Sequence, residues 1–257
     1  MAGLRFYLRV LRLLAVIGLG LLLASGVVVL ERLARGRDLM PRRQRLTRWF
    51  LARLAGALPF RVRVEGEVPT VPMLWVSNHV SWTDIPLLGM LAPLSFLSKA
   101  EVRAWPVAGW LAHKAGTLFI RRGSGESNLV GQQLGRHLGL GRNLLIFPEG
   151  TTTDGSLVRT FHGRLLTSAC ETGVAVQPVA IRYLRDGERD SVAPFIGEDD
   201  LVSHLVRLLR SPCSEVEIRL LTPIPSSGCH RNALAREAQQ AVQVALFGEA
   251  PPDELAA

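Results

Sequence analysis

The sequence predicts an α/β protein: a mainly parallel sheet flanked by helices, preceded by an N-terminal membrane-anchoring helical segment. Three observations predict it. From about Arg61 onward, short β-rich apolar runs alternate with longer stretches of helical periodicity, the pattern of strand–helix–strand units. Before Arg61, one uncharged apolar run approaches the length needed to cross a bilayer. Segments rich in reactive side chains follow predicted strands directly, where α/β proteins place ligands.

The elements follow in chain order. Leu13 to Leu30 is an 18-residue run without a charge. Three readings compete: a cleaved signal peptide, a true span, and a segment that dips into one leaflet. No small-x-small site leads into a polar mature start, which disfavours the first. Gly18, Gly20 and Gly26 are tolerable in lipid-embedded helices. Arg5, Arg9 and Arg12 precede the run, and a denser set from Arg32 to Arg48 follows it. The positive-inside bias puts the C-terminal side in the cytoplasm.

Gln44 to Leu58 is a second helix, with Leu46, Trp49, Phe50, Leu54, Ala57 and Leu58 at the spacing of one face. It lies either in the membrane interface or against the core. Arg53 falls among the apolar positions, where its stem can snorkel to headgroups.

Beyond these, Met73 to Ser77 reads as a buried strand and Ile85 to Ala92 as a helix. Ser95 to Ser98 is a strand, Trp105 to Ala115 a helix, Thr117 to Ile120 a strand and Ser127 to Leu140 a helix. Asn143 to Phe147 is a strand, Arg164 to Thr172 a helix and Ala175 to Arg182 a strand. Glu215 to Leu221 is a late strand, and Asn232 to Phe247 an amphipathic helix. The expected organisation is residues 1–60 as anchor and basic amphipathic helix, residues 61–248 as one catalytic domain, and residues 249–257 as a loose tail.

Composition narrows the function. The 257 residues suffice for one sizeable core. The net charge is +8, and nearly all the cations are arginine. They crowd around the apolar segment instead of clustering with aromatics in a soluble domain, which favours anionic lipid over nucleic acid. Three cysteines without a C-x-x-C spacing argue against a disulfide scaffold or a zinc site and suit a reducing compartment.

No G-x-S-x-G elbow, Walker loop or H-E-x-x-H motif is present. His79 follows a predicted strand, and Asp84 follows five residues later. In a turn entering a helix, that carboxylate can reach back to the imidazole, fix its tautomer and stabilise the imidazolium. Alternatively, Ser81 caps the helix and Asp84 closes a capping box. Phe147-Pro148-Glu149-Gly150-Thr151 also follows a strand; Gly150 permits close backbone approach, although Pro-Glu-Gly is also an ordinary turn. Gly116 to Arg122 ends in Arg121 and Arg122, a pair suited to an anionic group or to plain surface charge.

Taken in order, these segments resemble the bacterial glycerolipid acyltransferase family of the lysophosphatidate acyltransferase type. The first block is His79-x-x-x-x-Asp84, the second Gly116 to Arg122, the third Phe147 to Thr151, and the fourth the apolar strand around Pro178. The resemblance runs from Val62 to Tyr183. It implies that His79 deprotonates an acceptor hydroxyl, that Asp84 orients His79, and that Arg121, Arg122, Glu149, Gly150 and Thr151 hold the acceptor. The alkoxide attacks an acyl thioester of coenzyme A or acyl carrier protein, with no acyl-enzyme, metal or further cofactor. The implied location is a bacterial inner membrane, with the catalytic domain facing the cytoplasm. Phosphatidate-forming members carry an arginine after Glu-Gly-Thr; here Thr152 stands there. The expected acceptor is therefore lyso-ornithine lipid, with lysophosphatidate as the alternative. A non-catalytic membrane-binding protein of the same fold is the alternative of another class.

Overall fold

A computed structural model describes residues 2–34, 38–120 and 127–248. The order is α1 (Ala2–Leu33), α2 (Met40–Ala57), β1 (Phe60–Glu65), β2 (Leu74–Ser77), α3 (Asp84–Gly89), β3 (Leu94–Lys99), α4 (Ala108–Ala115), β4 (Leu118–Ile120), α5 (Ser127–Gly139) and β5 (Asn143–Ile146). Then come α6 (Thr167–Thr172), β6 (Val176–Arg185), β7 (Glu188–Arg189), α7 (Leu201–Arg210), β8 (Ser214–Leu220) and α8 (Arg231–Phe247). The sheet runs β1-β8-β6-β2-β5-β3-β4, with β7 on β6. Pairings are parallel except those of β6 with β7 and β8, in keeping with the mainly parallel sheet that the alternation predicts. The tail from residue 249 lies outside the described residues.

The central strands are apolar on both faces because helices cover both. Side chains alternate across the pleat. Leu74, Val76, Leu144 and Ile146 point to the face covered by α5, α6 and α8, while Trp75 and Leu145 point to the face covered by α2 and α3. Each such aliphatic side chain, fully buried, contributes about 1.5–3 kcal/mol.

Two helices differ from the sequence expectation. In α2 the buried residues include Gln44, Thr47, Leu51 and Ala55, whereas Trp49 is exposed with the Arg53 guanidinium over its ring at 4.8 Å. One polar residue of the inner face, Gln44, is held by two bonds: its Nε2 donates to Ser95 Oγ at 3.1 Å and to the Asn143 carbonyl at 3.2 Å. The predicted face therefore splits, with Phe50 and Leu54 inward and Trp49 outward. Helix α7 was not predicted, yet it carries its own signals. Asp200 accepts from the Val202 and Ser203 amides at 3.0 Å each as an N-cap, and Leu201, Leu205, Leu208 and Leu209 recur at helical spacing.

Helix α1 is the one described helix long and apolar enough to cross a membrane. It docks along the domain at both ends. Arg9 Nη1 donates to the carbonyls of Leu209 at 2.8 Å and Ser211 at 2.6 Å, at the end of α7. Near the other end, Glu31 pairs with Arg43 of α2 at 3.0 Å and lies 3.8 Å from Lys114 of α4. Arg43 also donates to the carbonyls of His113 and Lys114, both at 3.0 Å. The outer face keeps Leu4, Tyr7, Leu8, Leu11, Leu14 and Leu22 exposed.

Candidate active site

Strand register builds the site. Strands β2 and β5 are parallel neighbours, with Val76 opposite Ile146. The loops leaving their C-terminal ends therefore meet, bringing His79 to Phe147 and Glu149. The imidazole of His79 stacks on the Phe147 ring, with centroids 3.8 Å apart and planes 12° from parallel. Asn78 holds the start of the loop to β6: its amide donates to the Ile181 carbonyl and accepts from the Ile181 amide, both at 2.9 Å.

His79 Nδ1 and Asp84 Oδ2 are 2.7 Å apart. The same carboxylate oxygen accepts from the amides of Val80 at 2.8 Å and Ser81 at 3.0 Å. Asp84 thus orients the imidazole and takes the Ser81 amide with one atom, but Ser81 does not cap the helix: the N-cap is Thr83, with no side-chain cap bond, and the Asp84 amide goes to the Ser81 backbone carbonyl. Asp84 Oδ1 accepts from the Tyr183 hydroxyl at 2.5 Å, and Tyr183 also shares a 2.8 Å bond with Thr83 Oγ1. Burial and the neighbouring Asp84 charge push the Tyr183 phenol well above its usual range, so it remains a donor. With Oδ2 accepting, the imidazole proton resides on Nδ1 and Nε2 presents its lone pair. Nε2 has no hydrogen-bond partner among the described residues, and the His79 side chain retains 18% exposure.

Glu149 is buried, and both its oxygens accept backbone amides: that of His79 at 2.8 Å and that of Arg159 at 3.0 Å. Its carboxyl thus pins the backbone on which His79 sits. Burial raises its pKa above 4.5, against the lowering effect of those two amides. Gly150 has φ +71°, the left-handed region that glycine adopts readily, and Thr151 is half-buried beside it. Thr153 donates its amide to the His79 carbonyl at 2.9 Å. Thr152 Oγ1 donates to the Phe195 carbonyl at 2.5 Å, and Phe195 in turn donates its amide to the Val80 carbonyl at 3.0 Å. Arg121 and Arg122 lie outside the described residues; β4 ends just before them at Ile120.

The raised carboxyl of Glu149 gives a pH prediction. The folded state holds this proton to a higher pH than the unfolded chain does. Its contribution to stability is complete below 4.5 and is lost as pH rises through the raised folded value. A urea midpoint followed against pH in vesicles shows this step, and Glu149→Gln removes it.

Two participants escaped the sequence reading. Tyr183 lies beyond the predicted end of its strand, although Val179, Ile181 and Tyr183 share the alternation that puts all three on one face. His204, on the unpredicted α7, accepts at Nδ1 from Trp82 Nε1 at 2.9 Å.

Beside this centre lies an apolar cavity of about 360 Å³ between α1, α2, α3 and α4. Leu13, Ile17, Ala24 and Val27 line it along α1, and Trp82 lines it from the His79–Asp84 loop.

The comparisons with known proteins agree with this architecture. The acyltransferase family profile matches residues 60–182. A lyso-ornithine lipid O-acyltransferase of Pseudomonas aeruginosa is 68% identical over 254 residues, covering 99% of this chain and 98% of the relative. A protein of the same name from Brucella abortus is 35% identical over 231 residues, covering 82% of this chain and 86% of the relative. The crystal structure of the 1-acyl-sn-glycerophosphate acyltransferase of Thermotoga maritima superposes with a TM-score of 0.67 at 23% identity, covering 100% of this chain and 98% of that one. The chain therefore belongs to the acyltransferase family, and it is an enzyme that moves an acyl group from a donor to an acceptor.

Proposed function

We propose that the chain transfers an acyl group from a thioester to the free hydroxyl of a membrane lysolipid, with His79 as general base and Asp84 as its orienting partner. The observation that carries this is the Nδ1–Asp84 bond, which leaves Nε2 as the unshared base. Nε2 takes the hydroxyl proton as the oxygen attacks the thioester carbonyl. Collapse of the tetrahedral intermediate breaks the carbon–sulfur bond, and the imidazolium returns the proton to the departing thiolate. Asp84 stabilises the transient imidazolium. The donor is acyl-ACP or acyl-CoA, and the apolar cavity takes an acyl chain. Gly150 and Thr151, with Arg121 and Arg122, hold the head group, on a backbone that Glu149 fixes.

The acceptor is lyso-ornithine lipid. Similarity to the Pseudomonas aeruginosa enzyme over nearly the whole chain supports this choice. So does Thr152, which replaces the phosphate-suited arginine and spends its hydroxyl on the Phe195 carbonyl. Helix α1 forms the anchor, and residues 61–248, with α2 packed on their sheet, form the catalytic domain, on the cytoplasmic face of a bacterial inner membrane. Because both ends of α1 bind the same domain, dipping into one leaflet suits it better than crossing to the far side. The test offers lyso-ornithine lipid and lysophosphatidate side by side to the full chain in vesicles. Faster acylation of lyso-ornithine lipid is expected; far faster acylation of lysophosphatidate contradicts the choice.

A further inference from the structure

We propose that His204 is a positioning residue that governs acyl-chain selection by locking Trp82 as a wall of the apolar cavity. The proposal rests on the reading that this cavity takes an acyl chain.

His204 is fully buried on α7. Both its ring nitrogens are committed. An indole nitrogen can only donate, so Nδ1 is the acceptor of the 2.9 Å bond from Trp82 Nε1. The proton therefore sits on Nε2, which donates to the Pro194 carbonyl at 3.0 Å. Burial, with Arg207 nearby, holds the imidazole below its usual pKa and keeps the Nδ1 lone pair available. Phe195 meets the ring edge-on at 5.3 Å and fixes its plane. Trp82 belongs to the loop between His79 and Asp84, and it faces the cavity. Leu201 and Leu205, from the helix that carries His204, line the same cavity. One helix thus supplies part of the wall and the bond that sets the rest of it.

A histidine that merely satisfies the core makes a different prediction, and two substitutions separate the cases. His204→Asn keeps an acceptor near the Nδ1 position. His204→Gln places its amide near Nε2, keeps the Pro194 bond and leaves the Trp82 N–H unpaired at a half-buried position beside the apolar cavity. An unpaired donor there favours turning the indole toward another partner, which moves the wall.

The experiment measures kcat/KM for acyl thioesters of graded chain length, using the full chain in vesicles. His204→Asn is expected to keep the unmodified profile. His204→Gln and Trp82→Phe are each expected to change the long-to-short ratio by about tenfold, and His204→Gln to add nothing in a Trp82→Phe background. Ala24→Phe, which fills the cavity from α1, is expected to shift preference to shorter chains. An unchanged profile with Ala24→Phe removes the cavity reading and the proposal with it. A shift with Ala24→Phe but none with His204→Gln overturns the proposal alone. Should His204→Gln fail to fold, Trp82→Phe decides: an unchanged profile overturns the latch.

Discussion

His79→Ala is expected to lower acyl transfer by about 10³-fold or more, with membrane association and folding intact. General-base catalysis is worth about 10²–10⁴-fold, and here no second base stands ready. Asp84 is committed to three donors besides the imidazole, and Glu149 to two backbone amides. The imidazole keeps 18% exposure and its main packing partner is the Phe147 ring, so its loss costs the fold little. Activity assays paired with vesicle flotation check both halves of the prediction.

The second large effect separates two substitutions at Asp84. Asp84→Ala leaves the Val80 and Ser81 amides and the Tyr183 hydroxyl without their acceptor in a fully buried place. Breaking such a network costs about 3–5 kcal/mol, and the protein is expected to lose folded yield along with activity. Asp84→Asn behaves otherwise. Its oxygen can occupy the Oδ2 position and keep the His79, Val80 and Ser81 donors. Its amide then donates to Tyr183, whose hydroxyl turns to donate to Thr83 Oγ1. Stability should fall by no more than about 1 kcal/mol, one net hydrogen bond. The tautomer survives, but the imidazolium loses its counter-charge, and transfer drops by about 10²–10³-fold, the loss that follows removal of one electrostatic stabiliser. Denaturant melts and initial rates on the two variants check this. Equal instability of both would show that Tyr183 cannot reverse its bond.

The α/β class and the positions of the motifs were legible because they depend on local pattern. β2 and β5 are short apolar runs ending at turns, and both the His79 and Glu149 segments sit at their C-terminal ends. What joins those two segments was not legible, because it is strand order: β2 beside β5 is a tertiary fact. Tyr183 was hidden similarly, since β6 carries it to Asp84 from 99 residues away. The rotation of α2 escaped because apolarity alone orients a helix only when its polar residues lack buried partners, and Gln44 finds two. Helix α7 was missed although the Asp200 cap and leucine spacing announce it; its ten residues fell between two stronger strand signals.

The most direct test follows the acyl group itself. The full chain and its His79→Ala variant are mixed in vesicles with lyso-ornithine lipid and a radiolabelled acyl thioester, quenched during turnover, and the label is partitioned between lipid and protein. Direct transfer driven by His79 predicts label in the lipid for the unmodified chain, almost none for the variant, and none covalently on the protein. Label on the protein during turnover, or lipid product from the variant at near the unmodified rate, contradicts it.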